Sequence, residues 1–282
     1  MRSRTRRLHP IALAVAILAA LSAACSSGAG AYTLPPANGQ FDYQIGAAYS
    51  PLSTVRIVDR DRLAAAVSGK YNVCYVNAFQ TQPDDAAWWT SNHADLLLRK
   101  NGRYVIDPDW PDEYILDTST AAKRTALLAI VGPWIDRCAA DGFQAVEPDN
   151  LDSWTRSRSL LTKANNRAFA TLLATRAHSA GLAIAQKNAV ELATQKASIG
   201  FDFAIAEECE VWDECGDYTD AYGNQVYEIE YDDNTEDADG RTVAPISFFR
   251  SACATRGSSI SIVYRDRDVV APTTSGYEYQ WC

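Results

Sequence analysis

Between Gly142 and Trp154 the chain reads GFQAVEPDNLDSW. A short apolar run, Phe143 to Val146, ends in Glu147, Asp149 and Asp152, with Pro148 and Asn150 among them. Carboxylates held close together repel and raise one another's pKa. A chain that gathers three after a strand-like run therefore has a use for them in proton transfer, nucleophilic attack or cation binding. The same residues would also open a helix, with Pro148 in its first turn and the acids at the positive end of its dipole.

The elements that must position these groups are legible as alternating patterns. β-type runs occur at 41–45, 54–58, 72–76, 143–147, 182–186, 201–206, 225–229 and 259–264. Helical patterns lie between most of them: a short one at 62–67, long amphipathic ones at 120–140 and 159–180, and further ones at 188–197 and 245–256. Leu127, Ile130, Val131 and Trp134 form one stripe, and Phe169, Leu172, Leu173 and Arg176 another. Gly181, Gly200 and Gly257 are stop signals. Eight strands alternating with helices predict a parallel sheet closed as a single (β/α)8 TIM-like barrel over residues 41–282, of class α/β. The connection from Phe79 to Thr118 is long and aromatic, with Trp88, Trp89, His93, Trp110, Pro111 and Tyr114. It either binds ligand or caps one barrel end.

In such a barrel the C-terminal ends of the strands converge on one mouth. Those positions read Asn77, then Glu147 and Asp149, then Lys187 and Asn188, then Glu207 and Glu208, then Glu230 and Tyr231, then Arg265 and Asp266. A polar ring from six strands is costly to bury without a ligand or a chemical purpose. Two carboxylates flanking a bond are the working parts of glycoside hydrolysis. Competing signatures are missing: no G-x-S-x-G elbow, no H-E-x-x-H, no Gly-rich phosphate loop. Binding of Ca²⁺ or Mg²⁺ by the acids is the alternative. No cofactor and no resident metal are expected.

The first residues predict export. Arg2, Arg4, Arg6 and Arg7 precede an apolar stretch from Ile11 to Leu21, too short for a bilayer span. Ser22-Ala23-Ala24-Cys25 resembles a lipoprotein signal sequence, with residues 1–24 removed and Cys25 acylated; cleavage after Ala29-Gly30-Ala31 is the other reading. Residues 25–40 read as a flexible tether. The protein is then extracellular, freely secreted or lipid-anchored at the outer face of the cell membrane, and touches a membrane only through that anchor. Removing four of the 26 basic residues leaves 22 against 35 acids, a net charge of −13. Such a chain is a poor binder of nucleic acid and a plausible partner for a cationic ligand. Six cysteines beyond Cys25 predict three disulfides in an exported protein. Cys209–Cys215 closes a short loop, Cys253–Cys282 pins the C-terminus, and Cys74–Cys138 remains. Zinc is a weaker reading, with only His93 and His178 left as histidine ligands.

The stretches GFQAVEPDNLDSW (142–154), GLAIAQKN (181–188), FDFAIAEECEVWDEC (201–215) and VYEIEY (226–231) resemble glycoside hydrolase family 114, the endo-α-1,4-polygalactosaminidases; VCYVNAF (73–79) does so more loosely. The resemblance implies a TIM-like barrel, no cofactor, and hydrolysis of α-1,4-linked galactosamine polysaccharide, a cationic amino-sugar polymer. The family's two catalytic acids fall on Asp149 and Glu207. Asp149 near a helix start would stay ionised, as a nucleophile must; Glu207 at the end of an apolar strand beside Glu208 would serve as acid. The reverse assignment stays open. Asn77, Glu147, Asn150, Asp152, Lys187, Asn188, Glu208, Glu230 and Tyr231 are candidates for substrate contacts, with Lys187 alternatively a charge balance. The family more often has Asn where this chain has Ala206, and Ser-Ala-Gly where it has Asn77-Ala78-Phe79. A monomeric enzyme is expected. A non-catalytic sugar-binding lipoprotein on the same barrel, or a hydrolase of another amino-sugar glycan, are the alternatives.

Overall fold

A computed structural model describes residues 31–282; the predicted leader, Cys25 and the first part of the tether lie outside them. In chain order the elements are β1 (Phe41–Gln44), β2 (Ile57–Asp61), β3 (Tyr71–Asn77), α1 (Ala86–Asn92), β4 (Arg99–Lys100), β5 (Arg103–Tyr104), α2 (Ala121–Ala140) and β6 (Ala145–Asp149). There follow α3 (Lys163–Ser179), β7 (Ala183–Lys187), α4 (Lys196–Ile199), β8 (Phe203–Glu207), α5 (Cys215–Tyr222), β9 (Val226–Tyr231), α6 (Pro245–Arg256), β10 (Ser261–Arg265) and β11 (Tyr279–Trp281).

The sheet runs β1-β2-β3-β6-β7-β8-β9-β10-β11, parallel as far as β10 and antiparallel at β11. Side chains hold the seam between β1 and β10. Arg265 Nη1 donates to the Tyr43 carbonyl, Ser261 Oγ to the Gly39 carbonyl at 2.7 Å, and Tyr279 OH to the Phe41 carbonyl at 2.9 Å. The result is a nearly closed barrel of the expected (β/α)8 type. Alternate residues of each strand face opposite ways. Phe41, Ile57, Val73, Ala145, Phe203, Tyr227 and Val263 fill the interior, while Val76, Val146, Ile184, Ala204 and Ile262 face the helices and meet Leu127, Val131, Phe169 and Leu173.

Most strands run further into their polar residues than the apolar runs suggest. β6 ends at Asp149, not at Glu147, because its carboxylates find partners inside the barrel. The short helix expected at 62–67 is a single turn followed by irregular chain. There Asp61 accepts the Leu63 N–H, while Asn72 takes the Val67 N–H and donates to its carbonyl, so side chains capture groups a helix would have used. α3 starts at Lys163, four residues late, where Thr162 and Asn165 form a capping box. The helix expected at 188–197 is a 3₁₀ segment, Val190–Gln195, followed by the short α4. α1 and α5 lie in stretches without a helical pattern in the sequence.

Residues 31–40, expected as the end of the tether, pack on the barrel. Tyr32 stacks on His178 at 4.5 Å and donates to Asp202, and the Pro36 carbonyl accepts Tyr227 OH. The long connection divides its aromatics. Trp89 is buried against Trp134 and His93, with Trp88 beside it, whereas Trp110 stands at the mouth. All three expected disulfides are present, Cys74–Cys138, Cys209–Cys215 and Cys253–Cys282. Among the described residues no helix is long and apolar enough to cross a membrane.

Candidate active site

The last inward residues of the strands meet around one ammonium group. Lys187 ends β7 and is 1% exposed. Its Nζ donates to Glu147 Oε1 at 2.7 Å, Tyr43 OH at 2.9 Å and Asp149 Oδ1 at 3.0 Å, and lies 3.3 Å from Glu207 Oε2. Burial alone would strip the amine of its proton, but Asp149, Glu147 and Glu207 outweigh it and push its pKa well above the usual lysine value. Lys187 is thus a permanent cation among carboxylates from two neighbouring strands.

Asp149 ends β6. Its Oδ2 accepts Tyr75 OH at 2.7 Å, while Oδ1 meets Lys187. Burial works to raise its pKa, yet the Lys187 charge, the Tyr75 hydroxyl and the Asn150 backbone N–H together hold it below the ordinary aspartate value. The following helix, α3, begins only at Lys163, too far off for its dipole to act on Asp149; Lys187 takes that part instead. Glu207 ends β8. Tyr231 OH donates to its Oε1 at 2.5 Å and Asn188 Nδ2 to its Oε2 at 2.9 Å. Glu208 turns aside to Arg267 at 2.6 Å. Since Asp149 Oδ1 and Glu207 Oε2 touch the same nitrogen at 3.0 and 3.3 Å, those two oxygens stand at most about 6.3 Å apart.

These groups form the floor of a cavity of about 340 Å³ lined by Tyr75, Trp110, Glu113, Asp149, Asn150, Asp152, Arg156, Asn188, Glu207, Tyr231 and Arg267, among others. A second hollow shares Asp152, Asn188, Glu207 and Arg267 with it and adds Glu191, Glu208, Trp212 and Glu214. Trp110 and Trp212 are 48% and 53% exposed, one at each hollow. The cleft is rich in acid: Asp107, Asp109, Glu113, Asp152 and Asp268 join the two floor carboxylates.

The structure brings most of the expected residues together. Asn150, Asp152, Asn188, Glu208 and Tyr231 line the two hollows. Asn77 stands behind them, accepting Asn150 Nδ2 at 3.0 Å and donating to Glu113 Oε2 at 3.0 Å. Two expectations need correction. Glu147 is 0% exposed, below the mouth, because β6 continues two residues beyond it; burial raises its pKa against the pull of Lys187. Glu230 faces outward, since its neighbour Tyr231 faces in; it accepts the Glu210 N–H at 3.0 Å and shares the helix side of the sheet with Glu228 and Arg256. Neither touches the cleft. Sequence reading missed Tyr43, Asp59, Tyr75, Glu113, Arg156, Arg267 and Trp212. The first three sit on the inward parity of their strands, which was the available signal. Of the departures from the family motif, Ala206 faces the helices and Phe79 packs edge-on against Phe169, whereas Asn77 supports Asn150 and Glu113 of the cleft.

A mostly parallel barrel with two carboxylates at its mouth is an arrangement that suits glycoside hydrolysis. Residues 22–282 match the model of glycoside-hydrolase family GH114, and the chain belongs to that family and is a glycoside hydrolase. The structure resembles that of Ega3 from Aspergillus fumigatus in complex with galactosamine, at 24% identity and a TM-score of 0.66, over 90% of this chain and 100% of that one. It also resembles the glycoside hydrolase domain of PelA from Pseudomonas aeruginosa, at 15% identity and a TM-score of 0.53, over 85% of this chain and 98% of that one. No curated protein matches the sequence.

Proposed function

We propose that this glycoside hydrolase acts outside the cytoplasm on a polysaccharide of α-1,4-linked galactosamine, with retention, Asp149 as nucleophile and Glu207 as acid and base. The observation that carries the reading is Lys187 Nζ in contact with both carboxylates. In the first step Glu207 gives its proton to the glycosidic oxygen as that bond breaks, and Asp149 Oδ bonds to the anomeric carbon. In the second, Glu207 takes a proton from water, whose oxygen displaces Asp149. The lowered pKa of Asp149 keeps the nucleophile ionised. Two carboxylates drawn onto one nitrogen suit the close spacing of about 5–5.5 Å that retention uses better than the roughly 6.5–9.5 Å of inversion.

The substrate class is supported by the acids of the cleft, which outnumber Arg156 and Arg267 and suit sugar ammonium groups. Galactosamine is also the sugar in the Ega3 complex. Trp110 and Trp212 offer apolar faces for sugar rings on either side of Glu207. Reducing-end release from deacetylated α-1,4-polygalactosamine, compared with chitosan and with neutral α-glucan, tests the proposal. Release from the first alone is expected. Equal release from chitosan or the glucan would replace the substrate, and no release from any would remove the activity.

A further inference from the structure

Beneath Lys187 lies a carboxyl group that the reaction scheme does not use. Asp59, on β2, faces the barrel interior opposite Tyr43 and Val73 and is 0% exposed. Among the described residues, neither of its oxygens meets a donor, and neither does Glu147 Oε2. Asp59 and Glu147 are neighbours in this interior, each influencing the other's titration. Two carboxylates are both acceptors, so these orphaned oxygens can satisfy one another only if one proton is shared between them. An ionised carboxylate in a dry interior with no cation or donor of its own, as Asp59 would be, is an arrangement proteins avoid by neutralising the group.

The proton's place follows from what each group faces. Glu147 Oε1 already accepts Lys187 Nζ at 2.7 Å and Tyr43 OH at 3.1 Å, which favours its charged form. Asp59 has no such donors. Of the other titratable groups in this part of the barrel, Tyr75 and Asp149 pair with each other, and Tyr231 with Glu207. Burial first, and then the charge of Glu147, raise the Asp59 pKa well above the ordinary value, in agreement with the geometry.

We propose that Asp59 is a neutral carboxylic acid that donates to Glu147 Oε2, and that it is a positioning residue for hydrolysis. Glu147, pinned on one oxygen by Asp59 and on the other by Tyr43, fixes Lys187 Nζ at the point where it meets both Asp149 and Glu207. Protonated, Asp59 leaves Glu147 and Lys187 as a neutral pair, so the lysine is held without adding negative charge beneath the nucleophile. The kinetic part of this inference rests on the function proposed above; the protonation does not.

The test uses Asp59→Asn, which keeps a donor to Glu147, and Asp59→Leu, which removes it. The infrared difference between the wild-type protein and Asp59→Asn at neutral pH should show loss of one protonated-carboxyl C=O band. An unchanged band overturns the proposal whether or not the protein is active. On deacetylated polygalactosamine, Asp59→Asn should turn over within about threefold of wild type, while Asp59→Leu should lose about 10–100-fold in kcat at a KM within about twofold. Leu turning over like wild type, or Asn falling as far as Leu, overturns the positioning role. Should Asp59→Leu fail to fold, the band and the Asn kinetics decide. A wild-type protein with no turnover removes the proposed function and leaves the band to judge Asp59.

Discussion

Asn188 holds Glu207 at two points: its Nδ2 donates to Glu207 Oε2 at 2.9 Å, and its Oδ1 accepts the Glu207 backbone N–H at 2.8 Å. Side chain and main chain of the candidate acid are thus fixed by one amide from the neighbouring strand. Asn188→Ala frees both. We expect kcat on deacetylated polygalactosamine to fall by about 10–100-fold, since small displacements of a reacting group cost that much. Loss of the backbone bond should lower stability by about 1 kcal/mol, measured by urea unfolding.

Glu113 gives a pH dependence whose sign can be worked out. Burial raises its pKa from 4.5 to about 7, against the donors Gln80 and Asn77. Its folded-state pKa exceeds the unfolded one, so its contribution to stability is fully present below 4.5 and is lost as pH rises towards 7. Glu113→Gln keeps the amide contacts and removes the titration. Relative to wild type the variant should gain stability between pH 4.5 and 7, by up to about 3 kcal/mol. Urea unfolding of both proteins at the two ends of that window checks it; a constant difference would place the Glu113 pKa elsewhere.

Cys209–Cys215 closes a loop six residues long just after Glu207. Replacing both by Ser should cost about 2 kcal/mol through the unfolded chain. The effect on kcat should be small, because Asn188, Tyr231 and Lys187 hold Glu207 from other strands. Thermal unfolding with parallel kinetics separates the two; a collapse of kcat at unchanged fold would assign the loop a part in the site.

Retention predicts that the first sugar released from an α-linked chain is the α-anomer. Proton NMR during the first turnovers reads this directly. A β-anomer would show inversion and would require the two carboxyl groups to part to admit a water.

The barrel was legible because apolar runs mark all eight of its parallel strands, and the site because its polar residues cluster where those runs stop. The depth of the site was not. Glu147 and Asp149 both follow the run in VEPDN, and composition alone does not tell that β6 continues through both, placing one below the mouth and one in it. VYEIEY has the same difficulty: alternation is plain, but which parity faces inward depends on how β9 packs, and Tyr231 faces in while Glu230 faces out. Asp59 and Tyr43 escaped notice because polar residues occupy both parities of FDYQ and IVDRD, and only the closed barrel brings these two to Glu147 and Lys187. Glu113 and Trp110 lie on a long connection whose path no periodicity reports.

The central claim, that Asp149 and Glu207 together carry hydrolysis, is tested most directly by single-residue variants assayed for reducing ends on deacetylated polygalactosamine. Asp149→Asn and Glu207→Gln should each lose about 100-fold to 10,000-fold in kcat, with circular dichroism and melting close to wild type, since both side chains face the cleft. Normal turnover by either variant would contradict the account and move the chemistry to another carboxylate of the cleft, with Glu113 the first to examine.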